Sequence, residues 1–124
     1  MSGPSVLLDT NIVLYLLNGY DKLQKLLQGT TIFLSVITKV ELLSHSNLNK
    51  SGEQVIRDLL DQSKVMEFSN VIQERTIQLR RKFKMKLPDA GIAATAAFLN
   101  VQLITADKQF AKLKDELSVL LIER

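Results

Sequence analysis

An apolar run that stops abruptly at three polar residues is the feature that most constrains this fold. The run 6–8 is followed directly by Asp9, Thr10 and Asn11, and a second apolar run, 12–17, comes next. A short apolar run beside polar punctuation is typical of a buried strand, and Asn11 can cap a helix that follows. Parallel strands that are buried on both faces read as continuous apolar runs. This stretch therefore predicts the strand, turn and helix that open an α/β unit.

Strands and helices alternate along the rest of the chain. After the first strand, we predict strands at 31–35, 64–68, 102–105 and 119–122. We predict helices at 12–17 and 21–27, from 36 or 37, from 52 or 53 to 62, from 70 or 71, at 88–100 and at 108–114. Such alternation indicates a parallel sheet with helices on both faces. The expected fold is a three-layer α/β/α domain with a central sheet of four to five strands, and residues 1–124 form a single domain.

Helical spacing predicts which side chains of these helices face the core. In the second helix we expect Leu23, Leu26 and Leu27 to face inward. In the third, Val36, Ile37, Val40 and Leu43 mark an apolar face, whereas Thr38, Glu41 and His45 mark a polar one. In the fourth we expect the inward set Val55, Ile56, Leu59 and Leu60.

Composition excludes several kinds of site. The chain has no cysteine and one histidine, His45, which excludes thiolate and His-based metal sites and argues against a Ser-His-Asp arrangement. No phosphate-cradling Gly-rich loop is present. The longest apolar run is too short to cross a bilayer, and the N-terminus lacks the pattern of a secretory signal. We therefore expect a cytoplasmic protein with no membrane contact, whose net charge of +3 is compatible with a polyanionic partner.

Four carboxylates are expected to meet at one edge of the predicted sheet. Crossover connections are right-handed, so helices begin at the edge where the strands end, which is also where α/β sheets bind ligands. Asp9 ends the first strand, and Asp107 follows the fourth. Glu41 lies in the first turns of the helix after the second strand, and Asp89 lies in the first turn of the helix that Pro88 opens.

A cluster of hard oxygen ligands without His or Cys suits Mg²⁺ or Mn²⁺. One or two such ions could polarise a phosphodiester and activate a water molecule. We therefore predict that the four acids are catalytic and bind metal. Four polar residues near them are expected to support the ligands from a second layer: Thr10, Asn11, Ser35 and Thr105.

Four motifs around the acids span the chain from Leu7 to Phe110. They are Leu7-Leu8-Asp9-Thr10-Asn11, Ser35-x-x-Thr38-x-x-Glu41-Leu42, Lys86-Leu87-Pro88-Asp89-Ala90 and Leu103-Ile104-Thr105-Ala106-Asp107-x-x-Phe110. In order and spacing they resemble the signatures of PIN-domain ribonucleases, and most closely the VapC-type toxins of toxin–antitoxin pairs. The four acids match the family's acidic positions one for one. Gly91 departs from the pattern, because a larger aliphatic residue is usual there.

The resemblance implies an enzyme, a Mg²⁺- or Mn²⁺-dependent endoribonuclease that hydrolyses RNA phosphodiester bonds. It also implies a homodimer, a cognate antitoxin that holds the enzyme inactive, and a sheet with the first strand in its centre. Next to Asp89 lies a basic run, 80–86, in which we predict RNA contacts from Arg80, Arg81, Lys84 and Lys86. The alternative for Arg80 to Lys84 is a set of cations that stabilises a helix C-terminus.

Each acid also has a plain structural role open to it. Asp9 and Asp107 could cap the helices that follow them, and Asp89 would favour the positive end of a helix dipole. Thr38 and Glu41 fit a capping box, in which Thr38 caps the helix and Glu41 reaches back. His45 lies one turn beyond Glu41, where it could touch substrate or act as a proton shuttle, although an exposed surface position is favoured.

Two other functions remain open from the sequence. The chain could be a catalytically inactive PIN-fold module that binds RNA or protein without cutting. It could also be a metal-dependent phosphatase, but Asn11 stands where one large phosphatase family has the second acid of its Asp-x-Asp motif.

Overall fold

Five parallel strands form the centre of the protein. The computed structural model describes residues 3–123. The strands are β1 (Ser5–Leu8), β2 (Thr31–Ser35), β3 (Lys64–Met66), β4 (Gln102–Thr105) and β5 (Val119–Leu121). Their order across the sheet is β3-β2-β1-β4-β5, and every neighbouring pair is parallel. The predicted α/β class, parallel sheet and central first strand are confirmed.

Helices cover both faces of this sheet. They are α1 (Thr10–Leu17), α2 (Asp21–Leu27), α3 (Val36–Leu43), α4 (Lys50–Gln62), α5 (Asn70–Phe83), α6 (Leu87–Leu99) and a 3₁₀ helix, Lys108–Leu113. Successive side chains of a strand point to opposite faces, so Leu7 packs with α5 and α6 whereas Val6 and Leu8 pack with α1, α2 and α4. In the described part of the chain, no helix is both long and apolar enough to cross a membrane.

Several predicted ends were wrong by one to three residues. α1 begins at Thr10, so Asp9 holds the cap position and Asn11 lies exposed inside the first turn. α4 begins at Lys50, because the Asn49 side chain accepts a hydrogen bond from the Gly52 amide and starts the helix early. β3 and β5 end two residues and one residue before the predicted positions. In α6, Pro88 occupies the second position instead of the first.

Three of the side chains predicted to face the core are exposed. Leu26, Val40 and Val55 have exposed fractions of 46%, 58% and 50%. In α3 the buried positions are Thr38 and Leu42, which are four residues apart and so share one helix face. The prediction was wrong there because Thr38 is hydrogen-bonded, and a satisfied hydroxyl can be buried in place of an aliphatic side chain.

Gly91 is explained by the contact between α6 and α3. A Cβ atom at position 91 would overlap the Cδ1 atom of Ile37 and would touch the ring of Phe68. The alanines at 90, 93, 94 and 96 are fully buried on the same helix. A helix of small residues lies close to its neighbours, so a larger residue at position 91 would require the terminal methyl group of Ile37 to move.

Candidate active site at the carboxyl edge of the sheet

Asp9 lies at the centre of the candidate site, at the end of the central strand. Its exposed fraction is 5%, and both of its carboxylate oxygens accept hydrogen bonds. Oδ1 accepts from the Thr10 amide at 2.8 Å, and Oδ2 accepts from the Thr105 hydroxyl at 2.8 Å. Because β1 and β4 pair with Leu8 opposite Ile104, the residues that follow them, Asp9 and Thr105, become neighbours. The carboxylate is therefore held in one orientation by a donor at the start of α1 and a donor at the end of β4.

A chain of hydroxyl groups connects the start of α1 to Glu41. The Thr10 hydroxyl donates to Glu41 Oε1 at 2.6 Å and lies 2.9 Å from the Thr38 hydroxyl. A hydroxyl has one proton, so Thr38 must donate to Thr10. The capping-box interpretation of Thr38 and Glu41 was wrong, because Ser35 caps α3 by accepting from the Ile37 amide. Glu41 is exposed and is oriented by another helix.

A glutamine amide joins the other two acids. Gln109 Nε2 donates to Asp89 Oδ2 at 3.0 Å and to Asp107 Oδ2 at 2.7 Å. Asp107 also caps the 3₁₀ helix, since its Oδ1 accepts from the Gln109 amide at 3.0 Å. The Asp107 amide in turn donates to the Thr105 hydroxyl, which links this pair to Asp9. The capping role expected for Asp107 is present, together with its place in the network.

Two of the four carboxylates bind protons more tightly than usual. Burial raises the pKa of Asp9, hydrogen bonds from Thr105 and Thr10 offset part of that rise, and the charges of Asp89 and Asp107 add to it. Burial also raises the pKa of Asp89, a rise that the Gln109 hydrogen bond opposes. The charges of Asp107 and Glu41 raise this pKa further, and the Lys86 charge lowers it. The acids are thus close enough to repel one another.

The chemistry of these donors fits a divalent cation. They are carboxylate oxygens, and none of the four acids takes part in the ion pairs that the described residues form with Lys or Arg. The side chains nevertheless do not form a ready-made site. Within residues 3–123, no three acidic or histidine side chains lie together in a way that could hold a metal ion. An ion bound by three of these carboxylates would therefore require them to move closer together.

The remaining predicted support residues have different surroundings. Ser35 is buried, and its hydroxyl oxygen caps α3, so its role in the fold is that of a helix cap. Asn11 is exposed on α1. His45 is exposed too, and its Nδ1 atom accepts a hydrogen bond from the Asn47 amide at 3.3 Å.

The basic run ends α5 and leads into α6. Arg80, Arg81, Lys84 and Lys86 are all exposed. Arg80 Nε donates to the Met85 carbonyl at 3.2 Å, and Lys84 holds a left-handed backbone with φ of 55° at the end of α5. Lys86 precedes the first residue of α6, and its charge acts on Asp89. Arg80 thus stabilises the turn, and Lys86 is the cation of the run that acts on an acid of the site.

Sequence reasoning missed Gln109 and assigned Thr38 to the wrong face. Gln109 occupies one of the two unassigned positions between Asp107 and Phe110. The signal that could have identified it is the expected capping role of Asp107, because a cap side chain accepts from the amide two or three residues further on and so lies beside Gln109. For Thr38, the available signal was its spacing of four residues from Leu42.

Comparisons with known proteins give a family and a set of similar structures. The family model described as "PIN domain" matches residues 6–116. A toxin–antitoxin complex from Klebsiella pneumoniae contains a chain 32% identical to this one, with a TM-score of 0.79 and coverage of 96% of this chain and 99% of that chain. VapBC-1 from nontypeable Haemophilus influenzae is 25% identical, with a TM-score of 0.78 and coverage of 94% and 97%.

A third similar structure is FitAcB from Neisseria gonorrhoeae. It is 25% identical, with a TM-score of 0.74 and coverage of 93% of this chain and 96% of that chain. Comparison with curated proteins finds no match. The similarities cover nearly the full length of both partners in each structural pair, so they concern the whole arrangement of strands and helices described above.

Proposed function

Because the chain belongs to the PIN domain family, we propose that residues 1–124 act as one PIN domain, a metal-dependent endoribonuclease and the toxin of a type II toxin–antitoxin pair. The observation that supports this most directly is the network around Asp9. Hydrogen bonds through Thr105 and Gln109 connect three acids at the carboxyl edge of the sheet. Helix starts favour three of these carboxylates one by one, but they do not remove the repulsion among the acids, whereas a cation would balance it.

Mg²⁺ or Mn²⁺ would be held by Asp9, Glu41, Asp89 and Asp107. A bound ion of this kind polarises a phosphodiester and lowers the pKa of water. The chain's own polar groups orient the acids: the Thr105 and Thr10 groups fix Asp9, and the Thr10 hydroxyl directs Glu41. Lys86 and the exposed cations at 81 and 84 would attract the RNA backbone toward this edge.

The proposed partner is a cognate antitoxin that binds the enzyme and holds it inactive. Support comes from the similar chain that was solved in a toxin–antitoxin complex from Klebsiella pneumoniae. A small open reading frame immediately upstream of the gene is expected to encode this antitoxin. Co-expression of the two chains should yield a stable complex that does not cleave RNA, and two chains that purify separately would count against the toxin role.

Cleavage of single-stranded RNA tests the enzymatic proposal. The protein should cut RNA with Mg²⁺ or Mn²⁺ and should stop when EDTA removes the ion. Asp9→Asn should abolish RNA cleavage. Asp58 is an exposed acid on α4, and Asp58→Asn should leave cleavage unchanged. Cleavage that persists in EDTA, or in the Asp9 variant, would overturn the proposal.

A module that binds RNA or protein without cutting is the second candidate. It is favoured by one observation, namely that no three acids within residues 3–123 are arranged to hold a metal ion. Such a module would bind single-stranded RNA equally well with and without EDTA and would leave it intact. A binding assay run beside the cleavage assay separates the two candidates.

A further inference from the structure

The side-chain amide of Gln109 occupies the space between two of the proposed metal-binding acids. Its nitrogen is 3.0 Å from Asp89 Oδ2 and 2.7 Å from Asp107 Oδ2. Ionised carboxylates only accept hydrogen bonds, so the amide must present its NH₂ group, and each of its two protons serves one acid. The uncharged Gln109 amide thus places its two N–H donors between the carboxylates of Asp89 and Asp107.

This bridge keeps the two oxygens too far apart for one ion. Linear hydrogen bonds from the two protons of an amide diverge by about 120°, which places the acceptor oxygens about 5 Å apart. Mg²⁺ binds oxygen at about 2.0–2.1 Å, so two oxygens on one ion are at most about 4.2 Å apart. An ion that takes both of these oxygens must therefore replace at least one of the amide's hydrogen bonds.

The backbone makes the bridge strong on one side. The Gln109 amide nitrogen of the main chain donates to Asp107 Oδ1 while the side chain donates to Oδ2, so a single residue holds both oxygens of Asp107. Asp89 comes from a different element, α6, and is held through Oδ2. The bond to Asp89 is therefore the one that can be released without disturbing the 3₁₀ helix.

We propose that Gln109 is a positioning residue that stands in for the cation in the metal-free protein and competes with it for Asp89 and Asp107. The inference rests on the proposed function, because it takes these acids as metal ligands. In the absence of the ion, Gln109 stabilises the folded protein by donating hydrogen bonds to two carboxylates that otherwise repel each other. It weakens metal binding for the same reason, since an ion that takes both Oδ2 atoms must displace the amide from at least one of them.

Calorimetric titration with Mn²⁺ alone, without RNA, tests this inference. Gln109→Ala should bind Mn²⁺ about tenfold more tightly than the wild type, which is the scale of one hydrogen bond to a charged group. The same variant should have a lower melting temperature than the wild type in EDTA, and Mn²⁺ should raise its melting temperature by more. Gln54→Ala is the matched control, because the side-chain amide of Gln54 also donates to a carboxylate, that of Asp58. Both residues are exposed on α4. That variant should leave Mn²⁺ affinity unchanged.

A second variant, Gln109→Lys, tests the inference if Gln109→Ala folds poorly. Gln109→Lys places a permanent positive charge near the same two acids, so it should raise the melting temperature in EDTA and remove the gain from Mn²⁺. Unchanged or weaker Mn²⁺ binding in Gln109→Ala would show that the amide only supports the fold and would overturn the inference. Absence of Mn²⁺ binding in the wild type would instead overturn the proposed function.

Discussion

Individual residues in this site serve the fold and the proposed chemistry together. Asp9 precedes α1 and accepts from its first amide, and Asp107 caps the 3₁₀ helix. These roles account for one oxygen of each carboxylate, and Thr105 or Gln109 takes the other. Each carboxylate oxygen has two lone pairs, so every one of them keeps acceptor capacity for a ligand. Structural and functional explanations of these acids are therefore compatible.

The raised pKa values of Asp9 and Asp89 predict how pH affects the metal-free protein. A carboxyl whose folded pKa lies above its ordinary value of 3.8 holds its proton more tightly in the folded state. The contribution to stability is complete below that ordinary value and is lost as pH rises through the raised folded pKa. Chemical unfolding in EDTA at several pH values should show that Asp89→Asn gains stability relative to the wild type across this window. A stability difference between Asp89→Asn and the wild type that does not change with pH would contradict the prediction. Asp58→Asn serves as the control.

Asp89→Asn also separates a metal ligand from a helix-terminal charge. The change removes one repelling charge at nearly constant size, so stability in EDTA should stay equal or rise, and the stabilisation by Mn²⁺ should shrink. Cleavage should fall by about 10²-fold or more, the scale of one lost electrostatic contact to a transition state. Thermal melts with and without Mn²⁺, beside an RNA cleavage assay, measure all three. If Asp89 only serves the dipole of α6, stability should fall by about 0.3–1 kcal/mol with cleavage intact.

At the scale of elements, helix starts gather the acids. α1 and the 3₁₀ helix begin immediately after Asp9 and Asp107, and Asp89 is the third residue of α6. The positive end of a helix dipole favours a carboxylate within the first turn, which offsets part of the repulsion. Glu41 is the sixth residue of α3, beyond the first turn, so its orientation depends on the Thr10 hydroxyl of α1 instead.

The contact of α6 with α3 gives a prediction for Gly91. Gly91→Ala gains about 1 kcal/mol of helix propensity, but its Cβ overlaps Ile37 Cδ1, and overpacking costs about 1–3 kcal/mol. We expect a net loss of about 1 kcal/mol in urea unfolding. In an Ile37→Val background the overlapping methyl is gone, so the same Gly91→Ala change should stabilise the protein. Equal effects in both backgrounds would show that Ile37 does not constrain position 91.

At the scale of the whole molecule, the helices on the two faces of the sheet carry different kinds of exposed side chains. α5 carries the basic run on one face, and α2 and α4 cover the other with the exposed side chains Leu26 and Val55. The basic run leads directly into the helix that carries Asp89, so cations and acids are adjacent along the chain. We therefore expect RNA to approach from the α5 side and a second copy of the chain to bind elsewhere.

Reversing two cations of the basic run should weaken RNA binding. Arg81→Glu combined with Lys84→Glu should reduce the slope of log affinity against log salt by about 1.4, because each phosphate contact to single-stranded RNA contributes about 0.7. Filter binding at several salt concentrations in EDTA measures this slope. Lys22→Glu combined with Lys50→Glu, on α2 and α4, makes the same charge change on the other face. Equal losses of RNA affinity in the two double variants would mean that RNA binding depends only on the net charge of the protein.

The expected homodimer should depend on the apolar surface of α2 and α4. Leu26→Lys combined with Val55→Lys should give a monomer mass in sedimentation at micromolar concentration, because a buried charge without a partner opposes association. Val71→Lys, on exposed α5, should leave the mass unchanged. A wild-type protein that sediments as a monomer would remove the dimer from the proposal.

Local pattern was enough to predict the class of fold and the edge at which the acids lie. Apolar runs, turn residues and the right-handedness of crossovers are properties of short segments, and they predicted five strands, their parallel direction and the edge at which Asp9 and Asp107 stand. The resemblance added the central position of β1. Errors at this level were small shifts of ends, as at Asn49 and Pro88, and three apolar side chains that were assigned to the core but are exposed.

Only the tertiary structure decided which groups touch. The pairing register of β1 with β4 brings Thr105 to Asp9, the packing of α3 on α1 brings Thr38 and Glu41 to Thr10, and the 3₁₀ turn brings Gln109 between two acids. These contacts join residues up to 96 positions apart in the chain. Apart from the contact of Gln109 with Asp107, which is two residues away, no local pattern encodes them, because the position of each group depends on how distant elements pack around a shared core.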